Sequence, residues 1–109
     1  MADNNREHFR IIYPTSQRPN MMINGRTYPV IEVSEGGCSI LLPREDPMLK
    51  KGLRFHAMIT FGKRGNENIA GVFVRIEAGK YSIKFDEGSG VPLPRIMEEQ
   101  RYLIKLTKP

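Results

Sequence analysis

Two arginines near the start of the chain, Arg6 and Arg10, stand four positions apart in the stretch NNREHFRIIYP. A guanidinium group is planar and permanently charged, so it can form a forked pair with a phosphate or a carboxylate. The pair is therefore either an anion clamp or ordinary solvated charge in a terminal segment. Because an R-x-x-x-R pattern also arises by chance, a second motif is needed before this one indicates a binding site.

A second stretch with chemical potential is VIEVSEGGCSI, residues 30–40. Glu32 and Ser34 are two positions apart on a predicted strand, so their side chains share a face. Gly36 and Gly37 follow directly, and glycines let the backbone turn sharply or let a flat ligand come close. The stretch is thus either a strand end with its turn or part of a binding surface.

Catalytic patterns are weak in this sequence. The histidines His8 and His56 lie far apart, and no H-E-x-x-H, paired C-x-x-C or Gly-rich phosphate loop occurs. Ser34 has no neighbouring base along the chain. Cys38 has no charged neighbour in sequence that would lower its pKa, and it is interpreted as a small strand residue. We therefore expect no enzyme activity, no catalytic residues, no metal and no cofactor.

Composition narrows the class of protein further. A length of 109 residues suits one domain, and a net charge of +5 indicates an anionic partner without naming it. No apolar stretch approaches the length of a membrane span, and the first residues lack the basic and apolar regions of a signal peptide. With a single cysteine, no internal disulfide can form. We expect a cytoplasmic location.

Alternating apolar residues predict a series of short strands separated by turns. Asn24-Gly25 suits a two-residue turn with positive φ, and Ala78-Gly79 turns the chain again. The predicted strands are Phe9–Tyr13, Met21–Ile23, Arg26–Ser34, Cys38–Leu42, Phe55–Phe61, Ile69–Glu77 and Tyr81–Phe85.

The last stretch, VPLPRIMEEQRYLIKL, predicts a helix from about residue 94 to 103, because proline is favoured in a first helical turn. Its end stays open, since Tyr102, Ile104 and Leu106 also alternate with the period of a strand. Many short strands followed by one helix indicate the all-β class, as a small antiparallel barrel or sandwich.

Taken together, the two motifs resemble those of the PilZ domain, a family of bacterial receptors for cyclic di-GMP. That family carries R-x-x-x-R near its N-terminus and (D/N)-x-S-x-x-G further along. Arg6 and Arg10 match the first motif, and Ser34 and Gly37 match the second. Glu32 departs from the pattern, because the family has Asp or Asn there. The resemblance implies that these five residues bind cyclic di-GMP.

The resemblance also implies an architecture, a six-stranded antiparallel β-barrel with a C-terminal helix. On this basis residues 1–109 are expected to form one PilZ-like domain. Its predicted parts are a flexible N-terminal segment at 1–8, a barrel over about 9–86 and a helix over about 94–103.

The implied function is that of a non-catalytic receptor, which rearranges its arginine segment on binding cyclic di-GMP and signals to an unidentified protein partner. The residue chemistry agrees with guanine recognition. Arginine pairs bidentately with guanine O6 and N7, and a carboxylate such as that of Glu32 accepts hydrogen bonds from the N–H groups of guanine. Ser34 adds a hydroxyl, and Gly37 leaves room for a base.

An alternative is a degenerate PilZ-like barrel that binds a protein, RNA or single-stranded DNA without the nucleotide. The basic net charge favours it slightly. Against nucleic acid, the chain has only five Phe and four Tyr, no Trp, and no cluster of aromatic residues on which bases could stack. A nucleic-acid binder would also lose affinity steeply with salt.

Overall fold

The structure of the protein is a computed structural model that describes residues 10–107. It contains seven strands, one α-helix and two short 3-10 turns, at Thr15–Gln17 and Gly62–Arg64. The predicted strands are found close to their predicted positions, whereas Arg6, His8 and the 1–8 segment lie outside the described residues. The elements are β1 (Arg10–Ile12), β2 (Asn20–Ile23), β3 (Arg26–Ser34), β4 (Gly37–Leu41), β5 (Arg54–Thr60), β6 (Asn66–Glu77), β7 (Lys80–Phe85) and α1 (Leu93–Thr107).

Six of the strands close into an antiparallel barrel. Their order is β3-β2-β5-β6-β7-β4, and β4 pairs back with β3. The short strand β1 is additional and pairs with the C-terminal half of β3, next to the position of β2. Closure leaves the barrel strands with few unpaired backbone groups. The predicted six-stranded antiparallel barrel with a C-terminal helix is confirmed.

The two predicted glycine turns have the expected backbone. Asn24 and Gly25 have φ values of 50° and 81°, and Ala78 and Gly79 have 45° and 84°. Positive φ at both central residues gives a two-residue hairpin turn whose twist matches that of its strands. These turns set the register of β2 with β3 and of β6 with β7.

Helix α1 is fixed to the barrel by a buried carboxylate. Ile96 and Glu99 are buried, and Glu99 accepts hydrogen bonds from the Tyr13 hydroxyl at 2.7 Å and from Arg64 at 2.6 and 3.0 Å. The Arg64 guanidinium also lies 3.6 Å from the centre of the Tyr102 ring. Burial, with the Glu99 bond, raises the pKa of the Tyr13 hydroxyl, which therefore remains a donor. The network connects α1 to the chain just after β1.

The helix extends four residues beyond its predicted end, to Thr107. The strand-like alternation of Tyr102, Ile104 and Leu106 leads to no strand, because α1 continues through these residues. Ile104 and Leu106 are 53% and 49% exposed as a result. Within residues 10–107, no helix is both long and apolar enough to cross a membrane.

We predict that Glu99→Ala lowers the free energy of unfolding by about 2–4 kcal/mol, because it leaves the Arg64 charge and the Tyr13 hydroxyl without their buried partner. The matched control is Glu98→Ala, whose side chain is 63% exposed in a 3.7 Å pair with Arg95. This control should cost less than about 1 kcal/mol. Urea denaturation measures both, and equal midpoints for the two variants would contradict the anchoring role.

Candidate functional site

The pairing of β1 with β3 brings three of the predicted site residues together. Arg10 lies opposite Ser34, and Ile12 lies opposite Glu32. Residues directly opposite each other in an antiparallel pair share a face. Between them, Ile11 and Val33 are opposite each other and buried. Arg10, Glu32 and Ser34 therefore lie on the outer face of the barrel.

An irregularity in β3 is what turns Glu32 outward. Tyr28 and Val30 are buried, so strict alternation would direct Glu32 into the core. The register shifts between Val30, which faces Ile40, and Glu32, which faces Ser39. Such a bulge inserts one extra residue and re-aims the side chains beyond it. Val33 consequently takes the next buried position.

The Glu32 carboxylate contacts side chains from β4, which pairs with β3, and from β7, which pairs with β4. The Ser39 hydroxyl donates a hydrogen bond to Glu32 Oε2 at 3.1 Å, and Lys80 Nζ lies 3.4 Å from the same oxygen. Ser39 is opposite Glu32 on β4, and Ser82 is opposite Ser39 on β7. Lys80 precedes Ser82 by two positions and thus shares its face.

Ser34 and Gly37 shape the turn between β3 and β4. The Ser34 hydroxyl donates a hydrogen bond of 3.3 Å to the carbonyl of Gly37. A Cβ atom at Gly37 would overlap the backbone carbonyl oxygen of Ile83 in β7, whereas a Cβ at Gly36 would meet nothing within 4 Å. Because β4 approaches β7 so closely, the fold requires a glycine at position 37. The predicted role of leaving room for a base stays a prediction.

The motif residues that the structure describes line a depression of about 180 Å³ on the outer face. Ligand pockets for molecules of drug size usually have about 300–1,000 Å³, so the described residues form only part of a site for such a ligand. Larger clefts of about 580 and 460 Å³ lie beside Arg44 and beside Tyr102, but neither is lined by a motif residue from the described part of the chain. The depression includes Arg10, Glu32, Ser34, Gly37, Cys38, Ser39 and Ser82.

The depression has the chemistry of a binding site. Burial, together with the charge of Glu32, raises the pKa of the Cys38 thiol, which keeps it protonated and poorly nucleophilic. Among residues 10–107 no three His, Cys, Asp or Glu side chains are arranged to hold a metal ion. What remains is a guanidinium, a carboxylate and several hydroxyls, the set that recognises polar and anionic ligands.

Sequence reasoning missed three residues of this face, Ser39, Lys80 and Ser82. The alternation of Lys80 and Ser82 with the core residues Tyr81 and Ile83 was readable, whereas Ser39 is itself buried between Cys38 and Ile40. The register that places β4 and β7 beside Glu32 was not readable from one sequence.

Comparison with known proteins identifies the class. The PilZ domain family model matches residues 4–102, and the chain belongs to the PilZ domain family. Among curated proteins, none matches this sequence.

Two solved structures have the same fold. The first is the PilZ domain with c-di-GMP of YcgR from Escherichia coli, at 20% identity and a TM-score of 0.67, covering 94% of this chain and 92% of that one. The second is YcgR from Escherichia coli in complex with c-di-GMP, at 22% identity and a TM-score of 0.59. The match to this second structure covers 93% of the present chain and 45% of the longer one.

We predict that Gly37→Ala lowers the free energy of unfolding by about 1–3 kcal/mol, because the added methyl group collides with the backbone of β7. Gly36→Ala is the matched control and should be neutral or slightly stabilising, since its methyl group has space and its φ is not left-handed. Urea melts of the two variants measure the difference. If Gly37→Ala proved as stable as the wild type, the close approach would not be a constraint.

Proposed function

We propose that the protein is a non-catalytic receptor for cyclic di-GMP. The observation that carries this proposal is the meeting of Arg10, Glu32 and Ser34 on one outward face, within the stretch that the PilZ domain family model matches. Support also comes from the similar fold of the YcgR domain, whose structure contains c-di-GMP. The proposed ligand-binding residues are Arg6, Arg10, Glu32, Ser34 and Gly37.

The charged residues among the five have complementary groups in the ligand. Cyclic di-GMP offers two phosphates and two guanines. Arg6 and Arg10 would form charge-assisted hydrogen bonds with phosphate oxygens or pair with guanine O6 and N7. Glu32 would accept from the N1–H and exocyclic amino groups of guanine. Adenine lacks the N1–H donor and the O6 acceptor, so the same residues discriminate against cyclic di-AMP.

The position of β1 explains how Arg6 would contribute. Arg10 is the first residue of β1 and lies beside Ser34. Four residues of extended chain span at most about 14 Å, a length that would allow Arg6 to contact a ligand seated on this face. Ligand phosphates that pair with arginines can order a segment, which is a known switching mode. We propose that the ordered segment forms the surface that a protein partner recognises.

We predict that calorimetry detects binding of cyclic di-GMP, with weaker or no binding of cyclic di-AMP. Arg10→Ala should weaken binding by about 1–3 kcal/mol, the scale of one bidentate guanine contact. Arg101→Ala removes an equal charge from an exposed position on α1 and should leave affinity unchanged. If wild-type protein at about a hundred micromolar gave no binding heat, the proposal would be wrong. Equal losses of affinity in both variants would show that only the net charge of the protein attracts the ligand.

The alternative, a barrel that binds RNA or single-stranded DNA, differs in its response to salt. A nucleic-acid binder releases a counterion for each phosphate that it neutralises, so its affinity falls steeply with salt. A receptor for one or two cyclic dinucleotides should show a shallow slope. Titrations of cyclic di-GMP and of a single-stranded oligonucleotide at rising salt separate the two functions.

We predict that hydrogen exchange of the amides at residues 5–10 slows on addition of cyclic di-GMP, because new arginine–phosphate bonds order this segment. Exchange in β5 and β6 should change little, since both strands lie away from the motif residues in the barrel order. Exchange mass spectrometry measures both regions. Equal protection of residues 5–10 with and without ligand would mean that the clamp is preformed and that the partner surface arises elsewhere.

A further inference from the structure

The second motif of the candidate site departs from the family pattern at Glu32. Glutamate has one more methylene group than aspartate, hence one more rotatable bond, and its carboxylate is less well defined unless other groups hold it. A guanine edge requires an acceptor in a fixed place. The longer side chain therefore calls for an additional restraint.

The structure contains such a restraint on one side of the carboxylate. Ser39 and Lys80 both contact Oε2 of Glu32, at 3.1 and 3.4 Å. Within the described part of the chain, Oε1 accepts no hydrogen bond, and the Glu32 side chain keeps 20% of its surface exposed. An ionised carboxylate has about four acceptor positions, so two donors on Oε2 leave capacity for a ligand.

The two donors, Ser39 and Lys80, differ in how deeply they are buried in the barrel. Ser39 is 3% exposed and lies in the middle of β4, paired on both sides. Lys80 begins β7, and its side chain is 45% exposed. An ion pair this exposed contributes little to folding stability, so its loss can be tested without unfolding the barrel.

We infer that Ser39 and Lys80 are positioning residues that hold the Glu32 carboxylate for guanine recognition and thereby compensate for its extra length. The inference rests on the proposed function and deepens it. The bulge at Ile31 turns Glu32 outward, and the register of β4 and β7 places these donors beside it. Positioning of this kind makes both residues determinants of selectivity for guanine.

The test is a double-mutant cycle by calorimetry with cyclic di-GMP. Ser39→Ala and Lys80→Met are measured with Glu32 and again with Glu32→Asp, whose shorter side chain withdraws the carboxylate from both donors. With Glu32 present, each variant should weaken binding about three- to tenfold; in the Glu32→Asp background, the loss should be less than about twofold. Lys80→Arg should retain most of the affinity.

Two further readouts separate positioning from a structural role. The preference for cyclic di-GMP over cyclic di-AMP should fall in Lys80→Met, while its urea midpoint stays at the wild-type value. Lys105→Met removes an exposed lysine on α1 and serves as the charge-matched control, with unchanged affinity and selectivity.

The outcomes that would overturn the inference are distinct from failure of the proposed function. Tighter binding by Lys80→Met would show that Lys80 competes with the ligand for Glu32. Equal losses in the Glu32 and Glu32→Asp backgrounds would show that Lys80 acts on the ligand directly. Absence of wild-type binding would overturn the receptor proposal and this inference together, whereas the first two results leave the receptor standing.

Discussion

The extra residue in β3 is the constraint on which the rest of the candidate site depends. β3 pairs with β1 and β2 on one side and with β4 on the other, so its alternation decides what faces the core and what faces solvent. Without the register shift, Glu32 would follow Val30 into an apolar interior, where an unpaired carboxylate is costly. With the shift, Val33 fills the core, and Glu32 joins Ser34 and Arg10 outside.

A second fixed point lies at the other end of β1. The backbone N–H of Tyr13 donates to the carbonyl of Ile31 at 2.9 Å, and its hydroxyl donates to the buried Glu99. Arg10 is only three residues before this anchor. The C-terminal residue of the arginine motif is therefore attached to the barrel, so in the proposed function a ligand has no need to position Arg10 from an unattached chain. When less of the chain must be ordered on binding, the entropic cost is smaller and the net binding free energy is more favourable.

Most of the fold was predictable from local patterns, because strands alternate with period two and the turns at Asn24-Gly25 and Ala78-Gly79 require positive φ. The end of α1 was not, since Tyr102, Ile104 and Leu106 alternate with the period of a strand although they lie in the helix. At the site, motif spacing predicted the shared face of Glu32 and Ser34. The contribution of Ser39 and Lys80 depends on cross-strand register, which a single sequence does not specify. The structural need for Gly37 likewise arises from the carbonyl of Ile83, far along the chain.

The most direct test of a receptor site on this face is a titration of labelled protein with cyclic di-GMP, monitored by the amide signals in NMR spectra. We expect the largest shift changes at Arg10, Glu32, Ser34 and Gly37, with smaller changes at Ser39 and Lys80 and little change along α1. Large changes confined to the cleft beside Tyr102, or no changes at all at saturating ligand, would contradict a receptor site on the outer face of β1, β3 and β4.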